Sequence, residues 1–190
     1  MDIILVRHGE TEENALKNFS RKDVQLSQRG RIQIENTRKY IETLDFKKVY
    51  VSPLNRTIET MEILELEGIK EKRIQEVDLG LFEGKNYETL EREFPEETKL
   101  WNEDPVTYAV PQGESIEGAY SRVKEFLEEL IERNENVLLI CHEGIIRIAL
   151  SWVFDRPEYF FKFKAENGSI NIITVHEGYK YINKMNYINY

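Results

Sequence analysis

Cysteine is almost missing from this chain: Cys141 stands alone among 190 residues. An intrachain disulfide framework is therefore excluded, and a reducing compartment is expected. No apolar run approaches the ~20 residues of a membrane-crossing helix. Met1-Asp2-Ile3 brings no basic stretch ahead of its short apolar segment, so no signal peptide is read there and the expected location is the cytoplasm. Histidine is scarce too. His8, His142 and His176 lack zinc-like spacing and no calcium-loop pattern occurs, so neither a metal nor another cofactor is expected. Positive charge is in deficit, with 26 Lys and Arg against 35 Asp and Glu and a formal net charge of -9. Such a field repels nucleic acid and anionic membranes, and neither is expected as a partner. An anionic substrate needs a positive pocket built locally against the global charge.

What is present suffices for a packed core: 41% hydrophobic and 11% aromatic residues. Ile3–Val6 reads as a short strand buried on both faces. Ser27 caps a helix over Gln28–Leu44. Lys48–Val51 is a second strand, and Pro53 opens a helix carrying Leu54, Ile58 and Met61. Ser115–Arg133 is the clearest helix, with Ile116, Ala119, Val123, Phe126, Leu127 and Leu130 in one stripe. Val137–Ile140 is a third buried strand with a helix behind it, and Ser169–His176 and Tyr179–Asn186 form a closing hairpin. Strands alternating with helices predict an α/β fold with a mostly parallel sheet. The stretch from Glu76 to Gly113 has poor periodicity and mixes Phe82, Tyr87, Phe94, Trp101 and Tyr108 with charges and three prolines. It reads as a cap.

Ligands of open α/β sheets bind at the carboxyl ends of strands. Here three predicted strands end in Arg7-His8, in Ser52-Pro53-Leu54-Asn55-Arg56 and in Cys141-His142-Glu143-Gly144. If those strands are parallel, two arginines and two histidines meet at one edge. Two guanidinium forks and two imidazoles suit a tetrahedral dianion such as phosphate, and Gly9 and Gly144 would let backbone approach it closely.

The segments LVRHGET, VSPLNRTIET, EVDLGLFEGK, PQGES and CHEGIIR together resemble, in order and over nearly the whole chain, the histidine phosphatase superfamily of phosphoglycerate mutase-like proteins. The resemblance implies a three-layer α/β/α sandwich, one domain over residues 1–190 with a cap at about 76–113. It implies that His8 is the nucleophile, that Arg7, Arg56 and His142 bind the phosphoryl oxygens, that Asn14 is a further phosphate contact, and that Glu76 is the general acid and base. Glu83 aligns with a structural glutamate. The chain is short, as the family's phosphatases are, and its cap most resembles the α-ribazole phosphatase branch. The implied partner is a small phosphorylated metabolite, best matched by α-ribazole 5′-phosphate of cobalamin assembly. A phosphoglycerate mutase, a broad phosphatase and a weakly active phosphate-binding regulator are the alternatives. Monomer and homodimer both stay open.

Two departures from the family pattern stand out. Glu143 replaces the glycine that usually follows the second histidine. Its side chain either points away harmlessly or places a carboxylate at the substrate's rim, where it disfavours anions. Ser20, Arg21 and Lys22 replace a glycine-containing stretch in the substrate-contacting region. Ser115 is read as a helix cap and His176 as a hairpin residue, while Lys17, Arg21, Lys22 and Lys85 are read as solvated charges.

Cys141 to Arg147 also spells C-x5-R, the spacing of cysteine-dependent phosphatases, in which a thiolate attacks phosphorus. This copy lacks the preceding histidine and the following Ser or Thr, so Cys141 reads as the end of a buried strand. Cys141→Ser is therefore expected to keep most phosphatase activity and His8→Ala to lose nearly all of it. The reverse pattern in steady-state assays contradicts a histidine mechanism.

Overall fold

The computed structural model describes residues 1–189. Its centre is a six-stranded sheet built from β1 (Asp2–Arg7), β2 (Lys48–Val51), β3 (Ile69–Lys70), β4 (Val137–Cys141), β5 (Ile170–His176) and β6 (Tyr179–Tyr187), in the order β3-β2-β4-β1-β5-β6. The pairs β3/β2, β2/β4 and β4/β1 are parallel, whereas the closing hairpin β5/β6 joins β1 antiparallel. Side chains alternate across the pleat. Ile3, Leu5 and Leu139 enter one apolar cluster, under α6 (Ile116–Arg133) and α7 (Glu143–Trp152). Ile4, Val6, Leu138 and Ile140 enter the opposite one, under α2 (Gln28–Ile41) and α3 (Asn55–Ile63). Continuous apolar runs in β1 and β4 are what a sheet covered on both faces requires, and the result is the expected three-layer arrangement.

The helix starts follow their caps. Ser27 accepts from the Gly30 N–H at 3.0 Å and Ser115 from the Gly118 N–H at 3.0 Å. Helix α2 ends at Ile41, three residues before the expected Leu44, because residues 42–44 turn off it with bonds such as Leu44 N–H to the Ile41 carbonyl. Pro53 lies outside α3: Leu54 takes the extended N-cap conformation, and the helix opens at Asn55.

The cap segment is more regular than its sequence predicts. It holds two short helices, α4 (Tyr87–Glu93), capped by Asn86, and α5 (Pro95–Glu103), with proline in its first turn. Phe82, Leu90 and Val110 form its own small core, with Phe94, Trp101 and Tyr108 packed around it. Phe19, from the loop after α1 (Glu12–Ala15), joins that core and pairs with the cap backbone through Phe19 N–H to Lys85 O and Gly84 N–H to Phe19 O. Cap and β1 loop are thereby tied together over the carboxyl ends of the central strands.

Candidate active site

The parallel register sets Arg7 opposite Cys141 and Val51 opposite Ile140, so β1, β2 and β4 end side by side. His8 follows directly and is 2% exposed. Its Nδ1 lies 2.7 Å from the Gly9 carbonyl oxygen. A carbonyl only accepts, so Nδ1 carries the proton and the neutral ring keeps its lone pair on Nε2. Gly168 N–H, at 3.1 Å, and the Asn167 amide, at 3.3 Å, both donate to the His8 carbonyl and fix the loop from behind.

Both arginines converge on this histidine. Arg56, from the first turn of α3, is 1% exposed and donates from one terminal nitrogen to the Arg21 carbonyl at 2.9 Å. Arg7 donates to the Ala165 carbonyl at 2.6 Å and pairs with the Glu143 carboxylate at 3.1 Å. The His142 ring is fully buried, and its centroid lies 5.2 Å from that of His8. Its Nε2 meets the Ser52 hydroxyl at 2.7 Å. If that hydroxyl donates, Nδ1 holds the remaining proton. Nε of Arg7, Nε of Arg56 and Nδ1 of His142 are all buried without a partner among the described residues. Such orphaned groups cost about 1–3 kcal/mol each, so an anion accepting from them is favoured.

Glu76 also lines the site, half-buried, and accepts from Val77 N–H at 2.9 Å and Gly144 N–H at 3.3 Å. A Cβ on Gly144 would stand 2.4 Å from a Glu76 carboxylate oxygen. The absent side chain at Gly144 therefore makes room for Glu76.

A cavity of about 200 Å³ opens over these groups. Of the residues expected from sequence, Arg7, His8, Asn14, Ser20, Arg56, Glu76 and Glu143 line it. Asn14 is held by its own N-cap network: its oxygen accepts from Thr11 N–H and Asn167, and its amide donates to Ser20 Oγ at 3.1 Å. Two expectations change. Gly9 does not reach the cavity. Its N–H faces Thr60 Oγ1 at 3.3 Å, and a Cβ there would sit 2.4 Å from the Gly30 carbonyl, so its smallness serves packing against α2. His142 is not among the residues that line the cavity, although its ring meets that of His8 edge-on. Of the cap aromatics, only Trp101 lines the cavity; Phe82 and Tyr108 serve the cap's own core and Tyr87 is exposed. Phe19, Arg147, Phe160 and Phe161 also line it. The last two lie on the 3-10 turn Pro157–Lys162 beyond α7, and no periodicity in the sequence pointed inward there.

The model of the histidine phosphatase superfamily (branch 1) matches residues 3–188. This chain belongs to that superfamily. The 6-phosphofructo-2-kinase/fructose-2,6-bisphosphatase of Gallus gallus is 38% identical over 156 residues, covering 81% of this chain and 33% of the relative. The chain thus spans about a third of the length of such relatives. The alpha-ribazole phosphatase of Shigella flexneri superposes with a TM-score of 0.90 at 23% identity, over 98% of this chain and 96% of that one. A phosphoserine phosphatase of Entamoeba histolytica superposes with a TM-score of 0.85 at 24% identity, over 98% and 96%. At those identities the likeness carries the fold.

Burial, then the positive charge of Arg56 and Arg7, holds His8 well below the usual histidine range. His142 is lowered by burial, Arg56 and its neighbour His8. Burial pushes the Glu76 carboxyl up, and Arg56, the two backbone N–H groups and Arg7 only partly oppose this. Burial also drives the Cys141 thiol far up, so it is no thiolate at neutral pH. Among the described residues, no cluster of three or more His, Cys, Asp or Glu side chains is placed to hold a metal ion, and no helix is long and apolar enough to cross a membrane.

These shifts fix the sign of the pH response if His8 works as the neutral base form and Glu76 as the protonated acid. A lowered His8 keeps its neutral form to lower pH, so the acidic limb of kcat/KM moves below the ordinary histidine value of about 6.5. A raised Glu76 keeps its proton to higher pH, so the alkaline limb moves above the ordinary glutamate value of about 4.3. The expected profile is a bell with a mildly acidic optimum. A flat profile across both limbs contradicts the two assignments.

Proposed function

We propose that this chain is a phosphomonoester hydrolase that works through a phosphohistidine on His8. The observation that carries the reading is the buried, neutral His8, with Nε2 free, beside two arginines whose Nε atoms lack acceptors among the described residues. Nε2 attacks phosphorus while the ester oxygen leaves. Arg7, Arg56 and the Nδ1 proton of His142 neutralise charge on the phosphoryl oxygens, and Asn14 and Ser20 offer further donors. Glu76 gives its proton to the leaving alkoxide. The same carboxylate then takes a proton from water, which attacks the phosphohistidine and releases phosphate.

For the alcohol half, α-ribazole 5′-phosphate is the preferred substrate. Phe19, Trp101, Phe160 and Phe161 give the cavity flat apolar walls, which suit a heterocycle. The likeness to fructose-2,6-bisphosphatases favours a second reading, a sugar bisphosphate. A second phosphate needs cations of its own, however, and Arg147, the remaining cation of the cavity, is already paired with Glu143 at 2.5 Å.

The test is kcat/KM, in EDTA, for α-ribazole 5′-phosphate, fructose 2,6-bisphosphate and a simple aryl phosphate. The expected result is a preference for the ribazole ester by about tenfold or more, the scale of one well-made contact. A preference for the bisphosphate overturns the substrate assignment, and no turnover of any of the three overturns the hydrolase reading.

A further inference from the structure

Glu143 departs from its family's pattern, and its side chain points into the site. It is the first residue of α7, and its carboxylate bridges two cavity arginines, Arg7 at 3.1 Å and Arg147 at 2.5 Å. Arg147 is itself held against the Phe160 ring at 5.4 Å, so the bridge has an anchor of its own. Only 26% of the Glu143 side chain is exposed, and a carboxylate there is partly shielded from water.

The charges on the wall can be counted. Arg7, Arg56 and Arg147 are cationic, Glu143 is anionic, and Glu76 is held toward its neutral form by burial. Three positive charges less one leaves two, which matches a single phosphate dianion. An anionic group on the alcohol half of the substrate finds no free cation and meets the Glu143 carboxylate instead. A hydroxyl in the same place can donate to that carboxylate.

We propose that Glu143 is a specificity-determining residue that rejects phosphate esters carrying a second anionic group near the ester and favours neutral, hydroxyl-bearing ones. This rests on the phosphatase reading and narrows its substrate class. The charge acts on the alcohol half, so its signature is a ratio between two matched substrates.

Glycerol 3-phosphate and 3-phosphoglycerate differ by a hydroxymethyl in place of a carboxylate. Their dissociation constants, measured by calorimetry in the non-turning-over His8→Ala background, and their kcat/KM values with His8 intact give that ratio twice. The unsubstituted site favours glycerol 3-phosphate, and Glu143→Gln shifts both ratios toward 3-phosphoglycerate by about tenfold, the scale of one like-charge contact in a half-shielded site. Glu143→Asp, which keeps the charge, retains the original preference. An unchanged ratio in Glu143→Gln, or an equal shift in Glu143→Asp, overturns the proposal. Binding ratios that shift as expected without turnover uphold this inference and refute the hydrolase. Absence of binding by either ester contradicts both.

Discussion

The electrostatic frustration of Arg7 and Arg56 organises everything around it. Both guanidinium groups are buried, desolvation pulls each of them down, the charge of Arg147 adds to this at Arg7 and that of Arg7 adds to it at Arg56, and each retains an Nε without an acceptor among the described residues. The fold tolerates this because β1 and α3 are anchored by apolar clusters on both faces of the sheet. Backbone carbonyls of Ala165 and Arg21 satisfy one nitrogen of each. Both arginines line the same cavity as His8. A tetrahedral dianion would repair the frustration, so the proposed phosphoryl binding and the neutrality of His8 share one source.

The arrangement also divides labour between two titrating groups. The field that keeps His8 deprotonated would by itself ionise Glu76, because arginine favours carboxylates as strongly as it opposes imidazolium. Burial of Glu76 outweighs that pull. Gly144 makes the burial sterically feasible, since any side chain there would occupy the space of the carboxylate. A carboxyl held toward its protonated form and a neutral imidazole can therefore coexist near one another under a common positive field.

Much of this was legible from residues alone, and for identifiable reasons. Ile3–Val6 and Val137–Ile140 are continuous apolar runs, so the central strands and the chemistry at their ends could be read together. Ser27 and Ser115 announced helices through side-chain caps. The cap was not legible, because α4 and α5 are short and their apolar residues face a three-residue core that exists only after the segment folds back. Gly9 was misread because its neighbour Gly30 is distant in sequence and close in space. His142 was expected to bind the phosphoryl oxygens, and its ring stands edge-on to that of His8, with centroids 5.2 Å apart. Phe160 and Phe161 gave no inward signal, since the turn after α7 alone decides where they point.

The most direct test of the account is a rapid-quench experiment with a radiolabelled phosphate ester on the Glu76→Gln chain, followed by mapping of the labelled residue. Removing the proton donor and base slows hydrolysis of the intermediate, and an ester with a good leaving group still forms it. The account predicts an acid-labile, base-stable phosphoryl group on His8 that turns over slowly to free phosphate. A label on Cys141 or His142, or product release in one step with no labelled protein at any time, would contradict it.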